Sequence, residues 1–104
     1  MMTEKEFSVR LAKLREQKGI SARDMSLSIG QNPGYINNIE NGKSMPSMQG
    51  FFYICEFLNI SPETFFDETV SYPDKLSDLI EDLKKLDEMQ LSAISVILKG
   101  LSRK

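Results

Sequence analysis

Signals that begin and end helices recur at short intervals along this chain, and they constrain its fold more than any other feature. Thr3 and Glu6 have the spacing of a capping box, in which two side chains bond free N–H groups at a helix start. Gly19, Gly30 and Gly42 each stand where a helix is expected to end, because glycine accepts the positive φ of a helix C-terminus. No short run alternates between apolar and polar residues with turn residues on both sides. The chain is therefore predicted to be all-α and built largely from short helices.

Five helices are predicted in residues 1–69, and each is opened by a residue whose side chain can cap a helix. The capping residues are Thr3, Ser21, Asn32, Ser47 and Ser61. Pro33 follows Asn32, and its fixed φ suits the first residue of a helix, so the third helix is predicted to begin at Pro33. Apolar residues at helical spacing, such as Phe7, Leu11 and Leu14 in the first helix, predict a buried stripe.

Residues 70–104 are predicted to form a separate C-terminal hairpin of two amphipathic helices. Asp87 and Gln90 have capping-box spacing at the start of the second of them. The apolar stripes are Leu76, Leu79, Ile80, Leu83 and Leu86 in one helix and Leu91, Ile94, Ile97, Leu98 and Leu101 in the other. So few residues cannot bury a core by themselves. The stripes are expected to pack on the first domain, on a second copy of the chain or on another protein, and dimerisation through residues 73–101 is the prediction.

The composition narrows the possible functions. The chain has no His, which removes the commonest general acid–base residue and metal ligand, and its single Cys excludes an internal disulfide and a multi-Cys zinc site. No catalytic residue, metal or cofactor is predicted, and an enzyme is not expected. Charged side chains interrupt the N-terminal region where a signal peptide needs an apolar run. The uncharged run Ser44–Cys55 is too short and polar to cross a membrane, and the longer uncharged run Met25–Ile39 is also too polar, so a cytoplasmic protein is expected.

Charge is distributed unevenly along the chain, whose net charge is −2. Residues 1–46 hold seven Lys or Arg against five acidic residues, whereas residues 47–69 hold four acidic residues and no base. Residues 70–104 hold six of each sign. The first block is therefore the one that suits a polyanion, although the signal is weak when taken alone.

Residues 21–42 have the spacing of a helix-turn-helix, with a short helix, a turn at Gly30 and a second short helix. More specific residues surround this motif: Leu14 and Arg15 before Gly19, Ser26, Ile36, Ile39, the run Glu40-Asn41-Gly42-Lys43, and Pro46. With these residues, positions 7–68 resemble the phage repressor/Cro-type helix-turn-helix domain, also called the xenobiotic-response-element family. The resemblance implies a five-helix, lambda repressor-like DNA-binding domain and a double-stranded DNA partner. It also implies a bacterial protein that is associated with the nucleoid when bound to DNA.

By this resemblance, the third helix is the recognition helix, which lies in the major groove of DNA. The positions that face the bases are Asn32, Pro33, Gly34, Tyr35, Asn37 and Asn38. Asn37 and Asn38 are the predicted base readers, because an asparagine side chain can form two hydrogen bonds with adenine. Pro33 and Gly34 depart from the family pattern, in which long polar side chains are common. Tyr35 or the shape of the DNA is expected to supply the rest of the readout.

The positions that contact the DNA backbone in relatives correspond to Ser21, Ala22, Asn41, Lys43 and Ser44. Ala22 departs from the family pattern, and Arg23 and Lys18 are added as phosphate contacts on their charge alone. Arg15 and Glu40 match positions that form an ion pair between the first and third helices of relatives. They are predicted to be structural and to set the angle of the recognition helix.

The leading prediction is a sequence-specific DNA-binding transcriptional regulator, a homodimeric repressor that reads an inverted-repeat operator. A two-fold dimer would read half-sites about 34–36 Å apart on one face of the DNA. The alternative is a protein-interaction module, such as an antitoxin or an accessory factor whose C-terminal helices bind another protein. The acidic overall charge and the apolar hairpin motivate this alternative.

Overall fold

All regular secondary structure is helical in residues 2–102, which are the residues that the computed structural model describes. The helices are α1 (Glu4–Gln17), α2 (Ala22–Ser28), α3 (Tyr35–Glu40), α4 (Met48–Leu58), α5 (Pro62–Phe66), α6 (Pro73–Leu83) and α7 (Glu88–Ser102). No strand occurs in this part of the chain, which confirms the all-α prediction.

The predicted capping residues open the helices for the expected reason. At α1 the Glu6 N–H donates to Thr3 Oγ1 at 3.1 Å and the Thr3 N–H donates to Glu6 Oε1 at 3.2 Å, which is the reciprocal arrangement of a capping box. Ser21, Ser47 and Ser61 each accept a backbone N–H at the start of α2, α4 and α5. These side chains satisfy donors that a helix start leaves without an intrahelical partner.

The third helix begins at Tyr35 and not at the predicted Pro33. Asn32 forms a turn of its own, because its Oδ1 accepts the Gly34 N–H at 3.1 Å and its carbonyl accepts the Tyr35 N–H at 3.1 Å. Gly34 is then the residue that precedes α3, and no side chain caps the helix there. The prediction failed because the Asn–Pro pair that favours a helix start also favours a tight turn.

One core lies among α1 to α5. Phe7, Leu11 and Leu14 form the predicted buried stripe of α1. The other buried apolar residues are Met25, Ile36, Ile39, Phe51, Ile54, Cys55, Leu58 and Phe65. The rings of Phe7 and Phe65 have centroids 4.8 Å apart, and Phe51 meets Phe65 edge-on at 5.2 Å. Burial raises the pKa of the Cys55 thiol to about 11, as expected for a core residue.

Residues up to Asp74 form one compact unit, and residues from Lys75 form a second. The first unit therefore extends past residue 69, where the sequence placed the domain boundary. Asp74 belongs with the first unit because its Oδ1 accepts a hydrogen bond from Asn59 Nδ2 at 2.8 Å and its Oδ2 lies 3.4 Å from Lys18 Nζ.

The second unit contains α7 and most of α6, joined by a short turn. Asp87 and Gln90 form the predicted capping box at α7, because the N–H of each donates to the side chain of the other. Much of the predicted apolar stripe is exposed in the single chain, including Leu79, Ile97 and Leu101. No helix within residues 2–102 is both long and apolar enough to cross a membrane.

Candidate nucleic-acid interface

Ser26 joins α2 to the first turn of α3. Its side chain is fully buried, its hydroxyl donates to the Ala22 carbonyl at 2.7 Å, and its Oγ accepts the Ile36 N–H at 2.9 Å. The Ile36 N–H lies in the first turn of α3, where it has no intrahelical acceptor. A small hydroxyl residue at this crossing therefore lets the two helices approach and also satisfies a free donor.

The turn between α2 and α3 depends on Gly30. Its φ is 75°, a left-handed conformation that glycine adopts without a steric penalty. The Gln31 N–H donates to the Ser26 carbonyl at 2.9 Å and the Gly30 N–H donates to the Leu27 carbonyl at 3.1 Å. This pair of bonds is the Schellman arrangement that ends a helix and reverses the chain.

Arg15 and Glu40 hold the C-terminal half of α3 against α1. Arg15 Nε donates to Glu40 Oε2 at 2.7 Å and Arg15 Nη2 donates to Glu40 Oε1 at 3.0 Å, so the pair is bidentate. The Arg15 side chain is 15% exposed and that of Glu40 is 9% exposed. Donation of hydrogen bonds to the Glu40 carboxylate raises the pKa of the Arg15 guanidinium. Ser8 adds a second tie, because its hydroxyl donates to the Ile39 carbonyl at 2.7 Å.

The orientation that these contacts give α3 separates its buried and exposed side chains. Ile36 and Ile39 are fully buried, whereas Asn37 and Asn38 between them are exposed. The two carboxamides are therefore available to a ligand on the outside of the fold. Ile29, at the end of α2, is half-buried and packs against the core.

Asn32 and Asn38 lie on either side of Gly34. A methyl group built on Gly34 would be 3.8 Å from Asn32 Oδ1 and 3.8 Å from Asn38 Nδ2. The structure thus brings together three of the predicted base-facing residues, with two carboxamides flanking a position that has no side chain. Pro33, the fourth, is exposed in the same turn.

Tyr35 has a different position from the other predicted base-facing residues. Its ring is half-buried against the core, and its hydroxyl lies at Gly50 on α4, in the space that a side chain at Gly50 would occupy. Burial raises the pKa of the Tyr35 phenol. Sequence reasoning missed this contact, and the available signal was a glycine inside the otherwise apolar α4.

Backbone hydrogen bonds tie the last turn of α3 to the segment that follows it. The Lys43 N–H donates to the Asn38 carbonyl at 2.8 Å, and the Gly42 N–H donates to the Ile39 carbonyl at 3.1 Å. Gly42 has a φ of 76°, so this is a second Schellman ending. Asn41, Lys43 and Ser44 are all exposed beside the end of α3.

The remaining predicted backbone contacts lie at the start of α2. Ser21 is exposed, but its Oγ is engaged in capping, because it accepts the Asp24 N–H at 3.0 Å. Ala22 is half-buried and Arg23 is exposed. Among the described residues, neither Arg23 nor Lys43 forms an ion pair, whereas Lys18 is engaged with Asp74 and lies 5.6 Å from the centre of the Phe57 ring.

A family model described as a helix-turn-helix domain matches residues 9–69, which is more than half of the chain. The chain belongs to this helix-turn-helix family. A search of curated proteins and a search of solved structures each found no match.

In this helix-turn-helix protein, α2 is the first helix of the motif and α3 is the second. The exposed groups on and around α3 include carboxamides, the Ser44 hydroxyl and the Lys43 ammonium, which can form hydrogen bonds with base edges and phosphates. Residues 2–102 contain no group of three His, Cys, Asp or Glu side chains placed to hold a metal ion.

Proposed function

We propose that this helix-turn-helix protein is a sequence-specific DNA-binding transcriptional regulator of the phage repressor/Cro type, with α3 in the major groove. The observation that carries the proposal is the exposed Asn38 carboxamide, held beside the exposed Lys43 by the bond between their backbones. An asparagine side chain can bond adenine through two atoms, and a lysine ammonium binds phosphate. One segment therefore offers a base-reading group next to a backbone-positioning group.

The other roles follow from exposure around α3. Asn32, Pro33, Gly34 and Asn37 complete the base-facing surface with Asn38. The DNA backbone is contacted by Ser21, Ala22, Arg23, Asn41, Lys43 and Ser44. Gly34 keeps the space between the two flanking carboxamides open, so that a base edge or a thymine methyl group can approach there. Tyr35 is assigned to the interior of the fold and not to the bases.

We further propose that the regulator is a homodimeric repressor that acts in the bacterial cytoplasm and is associated with the nucleoid when bound. The exposed apolar stripes of α6 and α7 support self-association, because contiguous apolar surface is uncommon on a monomer. A two-fold dimer reads an inverted repeat, with half-sites one helical turn of DNA apart.

Selection of bound duplexes from a random library at about 0.15 M salt tests the proposed function directly. Enrichment of an inverted repeat with half-sites one turn apart is the expected result. A single enriched half-site would retain DNA reading and remove the dimer. If no sequence is enriched and DNA is retained only at low salt, sequence-specific binding is contradicted. The alternative function, binding of another protein through α6 and α7, would then be favoured.

Asn38→Ala is expected to weaken binding to the selected duplex by about 1–3 kcal/mol and to leave binding to a random duplex unchanged, because only a base contact is lost. Lys43→Ala is the matched contrast, since loss of a phosphate contact should weaken binding to both duplexes and lower the slope of log K against log salt by about 1. Fluorescence anisotropy with the two duplexes over a salt series measures both effects. If Asn38→Ala weakened binding to every duplex equally, Asn38 would not be a base reader.

Ile97→Lys is expected to raise the dimer dissociation constant at least about tenfold, because it places a charge on the apolar stripe that Ile97 shares with Leu98 and Leu101. Val96→Lys is the matched control. Val96 is also exposed on the same helix, at 70% against 58% for Ile97, but it lies off the stripe. Sedimentation equilibrium of the full chain measures the association. A monomeric wild type at tens of micromolar, or an equal effect of both variants, would contradict the assignment.

A further inference from the structure

The environment of Tyr35 differs from that of a groove-facing residue. Tyr35 is the first residue of α3, its ring packs on the core from a half-buried position, and its hydroxyl reaches α4 at Gly50. A position for the Gly50 side chain would also lie 3.3 Å from Ser47 Oγ and 3.6 Å from Pro46 Cβ. Tyr35 therefore joins the start of the recognition helix to the first turn of α4.

Gly50 is explained by the space that its missing side chain leaves and not by its backbone conformation. It is buried within α4 and has no positive φ, so its helical conformation is open to any residue. An alanine would be acceptable to the helical backbone at this position in the first turn of α4, so the reason for a glycine lies in the atoms around it. The Tyr35 hydroxyl supplies the reason, because it occupies the volume of a Cβ atom. Gly100 in α7 has no atom near its own Cβ position and no such requirement.

The contact fixes an end of α3 that other interactions leave less constrained. No side chain caps α3 at its start, whereas its C-terminal half is tied to α1 through Glu40 and Ile39. The segment between α3 and α4 is largely exposed, and it carries Lys43 and Ser44. Contact between Tyr35 and Gly50 closes the loop formed by α3 and this segment, so it sets how far the start of α3 lies from the start of α4.

We propose that Tyr35 is a positioning residue for DNA reading, which uses the space at Gly50 to set the placement of the Asn38 carboxamide relative to Lys43 and Ser44. The inference rests on the proposed function and adds a specificity-determining residue that does not itself contact the bases. A displaced Tyr35 moves the start of α3, so the base contacts lose their geometry while the phosphate contacts of the flexible lysine are retained.

The test is a double-mutant cycle in the full chain with Gly50→Ala and Tyr35→Phe. Dissociation constants are measured for the selected duplex and for a random duplex, and thermal unfolding is followed in parallel. Gly50→Ala is expected to weaken binding to the selected duplex about tenfold and to change binding to the random duplex little, since a misplaced bidentate contact costs about that factor. Gln49→Ala is the control, because Gln49 is exposed beside Gly50 in the first turn of α4, and it is expected to leave both constants unchanged.

Tyr35→Phe removes the hydroxyl that the new methyl group meets, so it is expected to restore most of the lost discrimination when combined with Gly50→Ala. Tyr35→Leu serves as a second variant, because it keeps apolar packing but loses the reach to α4, and it should lower the ratio of the two affinities several-fold. A change in stability without a change in that ratio would reduce Tyr35 to a structural residue and overturn the proposal.

Three further outcomes are distinguishable. If Tyr35→Phe alone lowers discrimination and gives no rescue of Gly50→Ala, the hydroxyl contacts DNA directly and the positioning role is wrong. If the wild type itself prefers no duplex, the proposed function has failed, and the inference falls with it. Normal discrimination by Gly50→Ala beside a discriminating wild type contradicts the inference alone.

Discussion

Arg10→Met is expected to lower the free energy of unfolding by about 3–5 kcal/mol. The Arg10 side chain is buried, and its guanidinium donates to four backbone carbonyls. The acceptors are Phe65 at 2.8 Å and Thr64, Asp67 and Val70 at 3.0 Å each. A hydrogen bond with a charged donor contributes about 1.5–3 kcal/mol, and carbonyls left inside the fold recover only part of it from water.

Burial lowers the pKa of the Arg10 guanidinium, and the nearby carboxylates of Glu68 and Asp67 oppose that shift. Chemical denaturation of Arg10→Met against wild type measures the loss. Lys13→Met is the matched control, because Lys13 is exposed on the same helix and should change stability by less than about 0.5 kcal/mol. Arg10→Lys should lose most of the stability as well, since an ammonium cannot span four acceptors in one plane. A loss below about 1 kcal/mol for Arg10→Met would contradict the role given to these bonds.

Glu40→Ala is expected to lower the free energy of unfolding by about 2–4 kcal/mol, because it leaves the largely buried Arg15 guanidinium without its bidentate partner. The same substitution should weaken binding to the selected duplex, since Glu40 holds α3 against α1. Denaturation with urea measures the first effect, and anisotropy at a concentration where the protein is folded measures the second.

Glu16→Ala provides an internal comparison for Arg15. The Glu16 carboxylate lies 3.8 Å from Arg15 Nη2 but is 69% exposed, so its removal should change stability by less than about 0.5 kcal/mol. The double variant Arg15→Met/Glu40→Leu should recover part of the stability lost in Glu40→Ala, because an apolar pair avoids the cost of burying charge. Equal losses for Glu16→Ala and Glu40→Ala would contradict the distinction between the two carboxylates.

The sequence predicted the parts of the fold that depend on near neighbours. Thr3 with Glu6, and Asp87 with Gln90, form their bonds within one helical turn, so their spacing alone specifies them. The buried stripe of α1 follows from helical periodicity in the same way. The predicted start of α3 is the local failure, because the pair Asn32–Pro33 suits a tight turn as well as a helix start.

Contacts between distant parts of the chain could not be predicted from the sequence alone. Arg10 is one of several charged residues in α1. Nothing in the neighbouring sequence indicates that its partners are backbone carbonyls more than fifty residues away. The inward position of Tyr35 likewise depends on a glycine in another helix. The Arg15–Glu40 contact was expected only through resemblance, which carries long-range information that composition and periodicity do not.

The position of Cys55 makes the chain its own reporter of opening. Cys55 is the only cysteine, and it is 2% exposed in the core that α1 to α5 form. Its pKa of about 11 keeps the thiol protonated and unreactive at neutral pH. A thiol reagent can therefore modify the native chain only when the core of the DNA-binding unit opens. The rate of modification, with no engineered label, would report how often that unit opens in each variant and how far a bound duplex suppresses the opening.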